Sequence, residues 1–253
     1  MIDLIIAGAT GQTGGAIVAA VKAHDNARVV AGLASRARKA DDFPLVTTLE
    51  DAPDAQGVID FSVPAQTALL AKACAEKGFT FVTGTTGLSD DQQTAVLEAS
   101  TAIPVVQSGN MSLGVNLLMA LVEQAAAKLD TYDIELTEAH HRRKVDAPSG
   151  TALMLGEAAA KGRGQSLQSQ ATFAREGAAG PRRDGEIGFS VIRGGGVPGD
   201  HDVAFLAEDE VVTLSHRALN RSLFAQGALK AALWAQGKPP GLYSMQDVLG
   251  LKR

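Results

Sequence analysis

Between His140 and Lys144 the chain reads HHRRK, five consecutive side chains that are cationic or become so on protonation. Such a run repels itself unless anions lie nearby, and the anion expected here is a substrate. Histidine, whose ordinary pKa is roughly 6.5, suits acid and base work near neutral pH. Just beyond, Pro148 biases Ala147 away from helical geometry, and Ser149 stands as an N-cap before Gly150, Thr151 and the helix-forming run 152–161. Backbone N–H groups without partners gather at such a start, and a small Gly150 lets a ligand approach the main chain. Carboxylate or phosphate would bind there. Asp146 is expected to serve the turn before Pro148, or else to orient Lys144 or Arg143.

A second chemical signal is GATGQTG, with Gly8, Gly11 and Gly14 between an apolar run and a helical pattern. The spacing GxxGxxG is a variant of the dinucleotide fingerprint. Glycine permits the tight turn and brings backbone N–H groups close to a pyrophosphate at a helix start. The alternative is a strand-to-helix turn without a ligand. About twenty residues on, where an NAD-selective site carries an acid, the chain reads ASRARK at 34–39. Ser35 can hydrogen-bond there, and Arg36, Arg38 or Lys39 can pair with the 2′-phosphate of NADP, so NADPH is the expected cofactor, with NADH possible. Left alone, the same cluster is a solvated loop. Two further loops, Gly84-Thr85-Thr86-Gly87 and Ser108-Gly109-Asn110-Met111, follow expected parallel strands, where ligands of open α/β sheets bind.

The elements that must position these residues follow from periodicity. Apolar runs at 2–7, 28–33, 57–61, 79–83 and 104–107 alternate with helical patterns, which predicts an α/β domain with a doubly wound, Rossmann-like parallel sheet. Pro64 suits the first turn of a helix through Lys77, and Ser89 with Gln92 is a capping-box signature. After an apolar helix at 116–128 come longer strand runs at 132–140, 186–193, 201–207 and 210–218, an α+β pattern. Residues 161–184 read as a long exposed connection, and Asn220 as the cap of a last helix through Ala235, before Pro239 and Pro240 break the chain.

Composition excludes several classes. A net charge of -5 and 4% aromatic residues argue against nucleic-acid binding, and no run approaches the roughly 20 apolar residues of a membrane span. The opening carries no export signal, and one cysteine, Cys74, in a helical pattern is expected to pack; a cytoplasmic protein is the expectation. With one cysteine and no HxxxH or CxxC spacing, no metal is expected.

Over essentially its whole length the chain resembles the 4-hydroxy-tetrahydrodipicolinate reductase (dihydrodipicolinate reductase) family. The resemblance lies in EAHHRRKVDAPSGTA, GATGQTGG, VIDFSVP, GTTG, GNMSLGVN, the REG at 175–177 and SHRALNRSLFAQGALKAALW. It implies NAD(P)H-dependent reduction of 4-hydroxy-tetrahydrodipicolinate to tetrahydrodipicolinate, with loss of water, in diaminopimelate and lysine biosynthesis. His140 would be the catalytic acid/base and Lys144 the proton donor, while His141, Lys144, Ser149, Gly150 and Thr151 would hold the substrate carboxylates. The cofactor would lie on Gly8, Ala9, Thr10, Gly11, Gln12 and Thr13, on Ser35 and Arg36, on Gly84, Thr85 and Thr86, and on Ser108, Gly109, Asn110 and Met111.

The same resemblance implies a dinucleotide-binding domain of residues 1–111 and 221–253, and a substrate-binding and tetramerisation domain of residues 112–220 with an open mixed sheet. A homotetramer and hinge closure between the domains follow from it. The chain departs from the family pattern at Ser35, where many members carry an acid, and at Val63, where a basic residue is common. Little sequence lies between Phe43 and Asp54, which leaves the sheet edge there undefined. Two alternatives carry different chemistry: an NADP-binding sensor that kept the fold, and a dehydrogenase of another small dicarboxylate.

Overall fold

The computed structural model describes residues 1–39 and 42–251. Along the chain it runs β1 (Ile2–Ala7), α1 (Gln12–Lys22), β2 (Ala27–Leu33), β3 (Arg38–Lys39), β4 (Pro44–Val46), β5 (Gly57–Asp60), α2 (Pro64–Lys77) and β6 (Thr80–Thr83). Then come α3 (Asp90–Ser100), β7 (Pro104–Gln107), α4 (Leu113–Lys128), β8 (Asp133–His140), α5 (Gly150–Gly162), α6 (Leu167–Gln170) and β9 (Ala171–Thr172). The chain continues through β10 (Ile187–Arg193), β11 (Asp200–Leu206), β12 (Val211–Arg217), α7 (Ser222–Ala235), β13 (Gly241–Tyr243) and α8 (Met245–Val248). It divides into two compact units, Met1–Leu113 with Arg221–Arg253, and Gly114–Asn220.

The first unit holds an eight-stranded sheet in the order β13-β7-β6-β5-β1-β2-β4-β3, parallel throughout except at the β3 edge. Strands buried on both faces have no polar side to show, which is why they read as unbroken apolar runs. Successive residues feed opposite cores: Leu4, Ile59, Val82 and Val106 pack toward α1, α7 and α8, while Ile5, Val58, Phe81 and Val105 pack toward α2 and α3. Cys74 is fully buried in the second of these cores, the packing role expected of it. Helix α7 lies close because its inward face is small. A Cβ on Gly227 would stand 1.7 Å from the Met111 carbonyl oxygen.

Chain order reverses at β1. The chain first builds outward through β2 and then returns to lay β5 on the other side of β1. That switch point opens a crevice beyond the strands' carboxyl ends.

The second unit is a five-stranded sheet, β12-β11-β8-β10-β9, with β8 parallel to β10 and antiparallel to β11. Strands β8, β11 and β12 alternate in burial, β11 between buried and half-buried residues. Leu118 and Val122 of α4 and Leu155 and Ala159 of α5 cover one face, over Ile134, Leu136, Ile187, Val203 and Phe205.

Several boundaries differ from the sequence expectation. Helix α4 begins three residues early, at Leu113, because Leu113 and Val115 are themselves packed. The helix expected to run from Asn220 through Ala235 is α7, which begins at Ser222, so its N-cap position falls on Arg221 and not on Asn220; the chain turns through Arg221, whose guanidinium donates to Gln12 Oε1 at 2.5 Å, and a further short helix, α8, follows it. The connection at 161–184 contains α6 and β9 and is tied down by arginines. Arg175 pairs with Glu135 and Glu186, while Arg182 donates to the carbonyls of Ile134 and Glu186, 2.7 Å each.

Candidate active site

In the second unit, β8 turns one face inward, and along that face Ile134 and Leu136 are followed by Glu138 and His140. Residues two apart share a face of a strand, so the packed side of β8 becomes polar at its carboxyl end. The strand stops at His140. His141 therefore lies outside it, its N–H donating to the Val197 carbonyl at 2.8 Å, and is under no obligation to point opposite His140.

Glu138, 2% exposed, is the hub. Arg193, which stands beside His140 on β10, donates to both its oxygens, Nη1 to Oε2 at 2.8 Å and Nη2 to Oε1 at 2.7 Å. The Ser149 N–H donates to Oε1 at 3.0 Å, and His140 Nδ1 lies 2.5 Å from Oε2. Burial pushes the Glu138 carboxyl up, but Arg193, His140 and the Ser149 amide together hold it below the usual carboxylate range. An ionised carboxylate only accepts, so Nδ1 of His140 carries the hydrogen and Nε2 is the nitrogen left for proton exchange.

Ser149 caps α5, accepting from the Ala152 N–H at 3.2 Å, and its hydroxyl also lies 3.1 Å from His201 Nε2. With its N–H and hydroxyl engaged and 1% exposure, Ser149 shapes the helix start. Gly150 is exposed and Thr151 half-buried at that start. His201 meets the His140 ring edge-on, with centroids 5.1 Å apart. Burial, with some help from the charges of His140, His216 and Lys144, lowers His201 to about 4, so it is neutral at working pH.

Lys144 is held from both ends. Its N–H donates to the His141 carbonyl at 3.1 Å, and its Nζ pairs with Asp146 Oδ1 at 2.8 Å. Asp146 thus orients Lys144 directly, the option set second to a turn-capping role in the sequence. Arg142 and Arg143 are exposed.

Glu138, His140 and His201 each offer an atom within 4.8 Å of the others, close enough to hold a metal. Both Glu138 oxygens, however, already accept from a guanidinium standing where a cation would need them. The donor set is that of a hydrogen-bond network.

The other expected residues lie in the first unit. Gly8, with φ +76°, turns the chain out of β1, and a Cβ there would stand 2.4 Å from the Phe61 carbonyl oxygen. Gly11 takes the N-cap position of α1 without a side-chain cap, no acid lies in the first turn, and Thr10, Gly11 and Gln12 are exposed. A cleft of about 460 Å³ opens here at the sheet's switch point, lined by Gly8, Thr10, Gly11, Ser35, Ser62 and Val63 among others. A bare helix start with a positive dipole end fits the diphosphate of a dinucleotide.

Ser35 lines that cleft and Arg36 beside it is exposed, while the side chains of Arg38 and Lys39 fall outside the described residues. Gly84 packs so tightly on the Phe61 ring that a Cβ would meet it at 2.4 Å. Thr85 is half-buried and Thr86 exposed. In the remaining loop the Ser108 hydroxyl donates to the Asn110 carbonyl at 2.7 Å and Asn110 Oδ1 accepts from the Ser112 N–H at 2.8 Å, which leaves Gly109 exposed. Met111 and Ala9 point their side chains into the core, so either could meet a cofactor only through its backbone.

Sequence reasoning gave no role to Glu138, Arg193, His201 or Asp60. Glu138 was findable: it precedes His140 by two on a strand. Asp60, fully buried at the end of β5, accepts from the Ser62 N–H and from the hydroxyls of Ser62, Thr67, Thr83 and Thr85, at 2.5 to 3.0 Å. It thereby knits together the loops after β5 and β6.

Comparisons with known proteins agree with both halves. The family model described as "Dihydrodipicolinate reductase, N-terminus" matches residues 2–111, and that for the C-terminus matches residues 114–249. A 4-hydroxy-tetrahydrodipicolinate reductase of Caulobacter vibrioides is 52% identical over all of this chain and 98% of its own. One from Rhodopseudomonas palustris is 48% identical over 98% of this chain and 96% of its own. Among solved structures, a dipicolinate-bound dihydrodipicolinate reductase from Paenisporosarcina sp. TG-14 superimposes with a TM-score of 0.81 at 25% identity, covering 98% of both chains. The chain belongs to the dihydrodipicolinate reductase family.

Proposed function

We propose that the chain reduces 4-hydroxy-tetrahydrodipicolinate to tetrahydrodipicolinate with loss of water, using a nicotinamide dinucleotide, NADPH in preference to NADH. The observation that carries this is the full-length match to reductases of that name, together with an intact His140, His141 and Lys144 beside an open helix start at Gly150. When bound, the reduced nicotinamide supplies hydride. The chain's own residues do the rest. Gly150 and Thr151 offer backbone amides, and His141 and Lys144 offer positive charge, to the two ring carboxylates. As negative charge grows toward the ring nitrogen, the Lys144 ammonium stabilises it and donates the proton. His140 exchanges protons through Nε2.

The NADPH preference rests on Ser35 and Arg36 just after β2, where this chain has a serine in place of the acid of an NAD-selective site. We further assign residues 1–111 and 221–253 to cofactor binding, residues 112–220 to substrate binding and tetramer formation, and the whole to the cytoplasm. Helices α4 and α5 cover one face of the mixed sheet, and the exposed strand residues Ile192 and Val211 support a subunit contact. Among the described residues no helix is long and apolar enough to cross a membrane.

The test is to mix purified protein with NADPH and freshly generated hydroxy-tetrahydrodipicolinate and to follow the absorbance of the reduced cofactor. Oxidation that depends on the substrate is expected; its absence would overturn the activity and favour a sensor. Lys144→Ala should lower turnover by about 100-fold or more with NADPH affinity little changed, since general acid catalysis contributes about that much.

A further inference from the structure

Four contacts converge on one buried carboxylate in the second unit, and they come from three separate stretches of chain. Glu138 receives His140 from its own strand, Ser149 from the start of α5, and both arms of Arg193 from β10. Arg193 reaches further: its Nη2 also donates to the Asp146 carbonyl at 2.7 Å, inside the loop that carries Lys144.

We infer that Glu138 and Arg193 form a positioning pair for the reaction, Glu138 fixing the tautomer and ring plane of His140 while Arg193 locks Glu138 to the Lys144 loop. The inference rests on the reading of His140 as acid/base and deepens it. Its physical basis is geometric. A histidine ring can rotate about two bonds, and a proton is delivered well only from a nitrogen held at a fixed place. A carboxylate on Nδ1 removes both the wrong tautomer and the wrong orientation. A carboxylate buried alone would not stay ionised, and Arg193 supplies two parallel charge-assisted bonds that a lysine cannot reproduce. One side chain thus ties the histidine and the lysine of the site to a common frame.

The experiment uses the full-length protein. His140→Gln measures how far turnover depends on His140. Glu138→Gln keeps the shape of the side chain but loses its charge, and is expected to lower kcat about 100-fold, the scale on which such supporting partners act, with NADPH affinity unchanged. In wild-type protein labelled with 15N histidine, the His140 signal should be that of the Nδ1–H tautomer, and in Glu138→Gln it should shift.

Because Glu138→Gln leaves Arg193 buried beside a neutral amide, Glu138→Gln/Arg193→Met serves as a second variant with neither charge. It should fold and show the same loss of kcat. If His140→Gln keeps full turnover, the acid/base reading of the site fails and this inference with it. If His140→Gln is inactive but the Glu138 variants keep wild-type kcat, or if wild-type His140 is the Nε2–H tautomer, the positioning pair alone is overturned.

Discussion

Gly199 stands against the His140 ring so closely that a Cβ added at residue 199 would lie 2.9 Å from Nε2, the nitrogen that Glu138 does not occupy. Gly199 has φ +154°, which a side chain adopts only under strain, and its N-terminal end of β11 also passes His201. Gly199→Ala must therefore displace the ring or the strand end. A misplacement of about 1 Å at a reacting group can cost about 100-fold in rate. The expected result is a fall in kcat of about 10- to 100-fold with the NADPH KM unchanged, read by steady-state kinetics. Normal kcat would mean that Nε2 is not the working nitrogen.

His201 makes stability depend on acid. Unfolded, an ordinary imidazole takes up a proton near pH 6.5; folded, His201 does so only near about 4, because of burial first and the charges of His140, His216 and Lys144 after it, against a favourable pull from Glu138. Above pH 6.5 neither state is protonated and the contribution to stability is whole. As pH falls toward 4 only the unfolded state gains the proton, and on the order of 2–3 kcal/mol is lost. Urea unfolding at a series of pH values between 7 and 4.5 measures this, and His201→Gln should flatten the curve across that range. An equally steep curve in the variant would assign the loss to another group.

How far these features were legible in the sequence depended on whether their partners were near. The parallel strands β1, β5, β6 and β7 declared themselves as apolar runs because the sheet buries both faces. Ser89 and Gln92 declared the start of α3, and the structure has that capping box. Signals that depend on distant residues did not show. Glu138 and Arg193 are 55 positions apart, and only the pairing of β8 with β10 joins them. The segment after Pro239 and Pro240 reads as a break, yet three of its residues form β13 because β7 offers an edge to pair with. Ser149 was recognised as a cap, but its being buried under Glu138 and His201 was not visible from its neighbours.

Asp60 is expected to matter for both stability and cofactor. Its carboxylate accepts from Thr67, Thr83 and Thr85 while fully buried, and Thr85 belongs to a loop expected to hold the cofactor. In Asp60→Ala these hydroxyls lose their acceptor inside the protein, which costs roughly 2–4 kcal/mol by the usual price of buried polar groups left without partners. Urea unfolding and NADPH titration should show the lost stability together with weaker binding. Lost stability with unchanged NADPH affinity would make Asp60 a purely structural residue.

Ser35 offers a direct handle on cofactor choice. It lines the cleft at the end of β2, exposed and beside an exposed Arg36, where a carboxylate would instead bond ribose hydroxyls. Ser35→Asp places a negative charge against a 2′-phosphate and gives NADH a partner that the wild-type chain lacks. The repulsion acts near the surface, where salt and water screen it, so an effect of about 10-fold is expected, not thousands. kcat/KM for NADPH should fall by about that factor while that for NADH holds or rises, and Arg36→Ala should weaken NADPH alone. If Ser35→Asp leaves the ratio of the two cofactors where it was, the adenosine ribose does not lie at the end of β2, and the basis for preferring NADPH is gone.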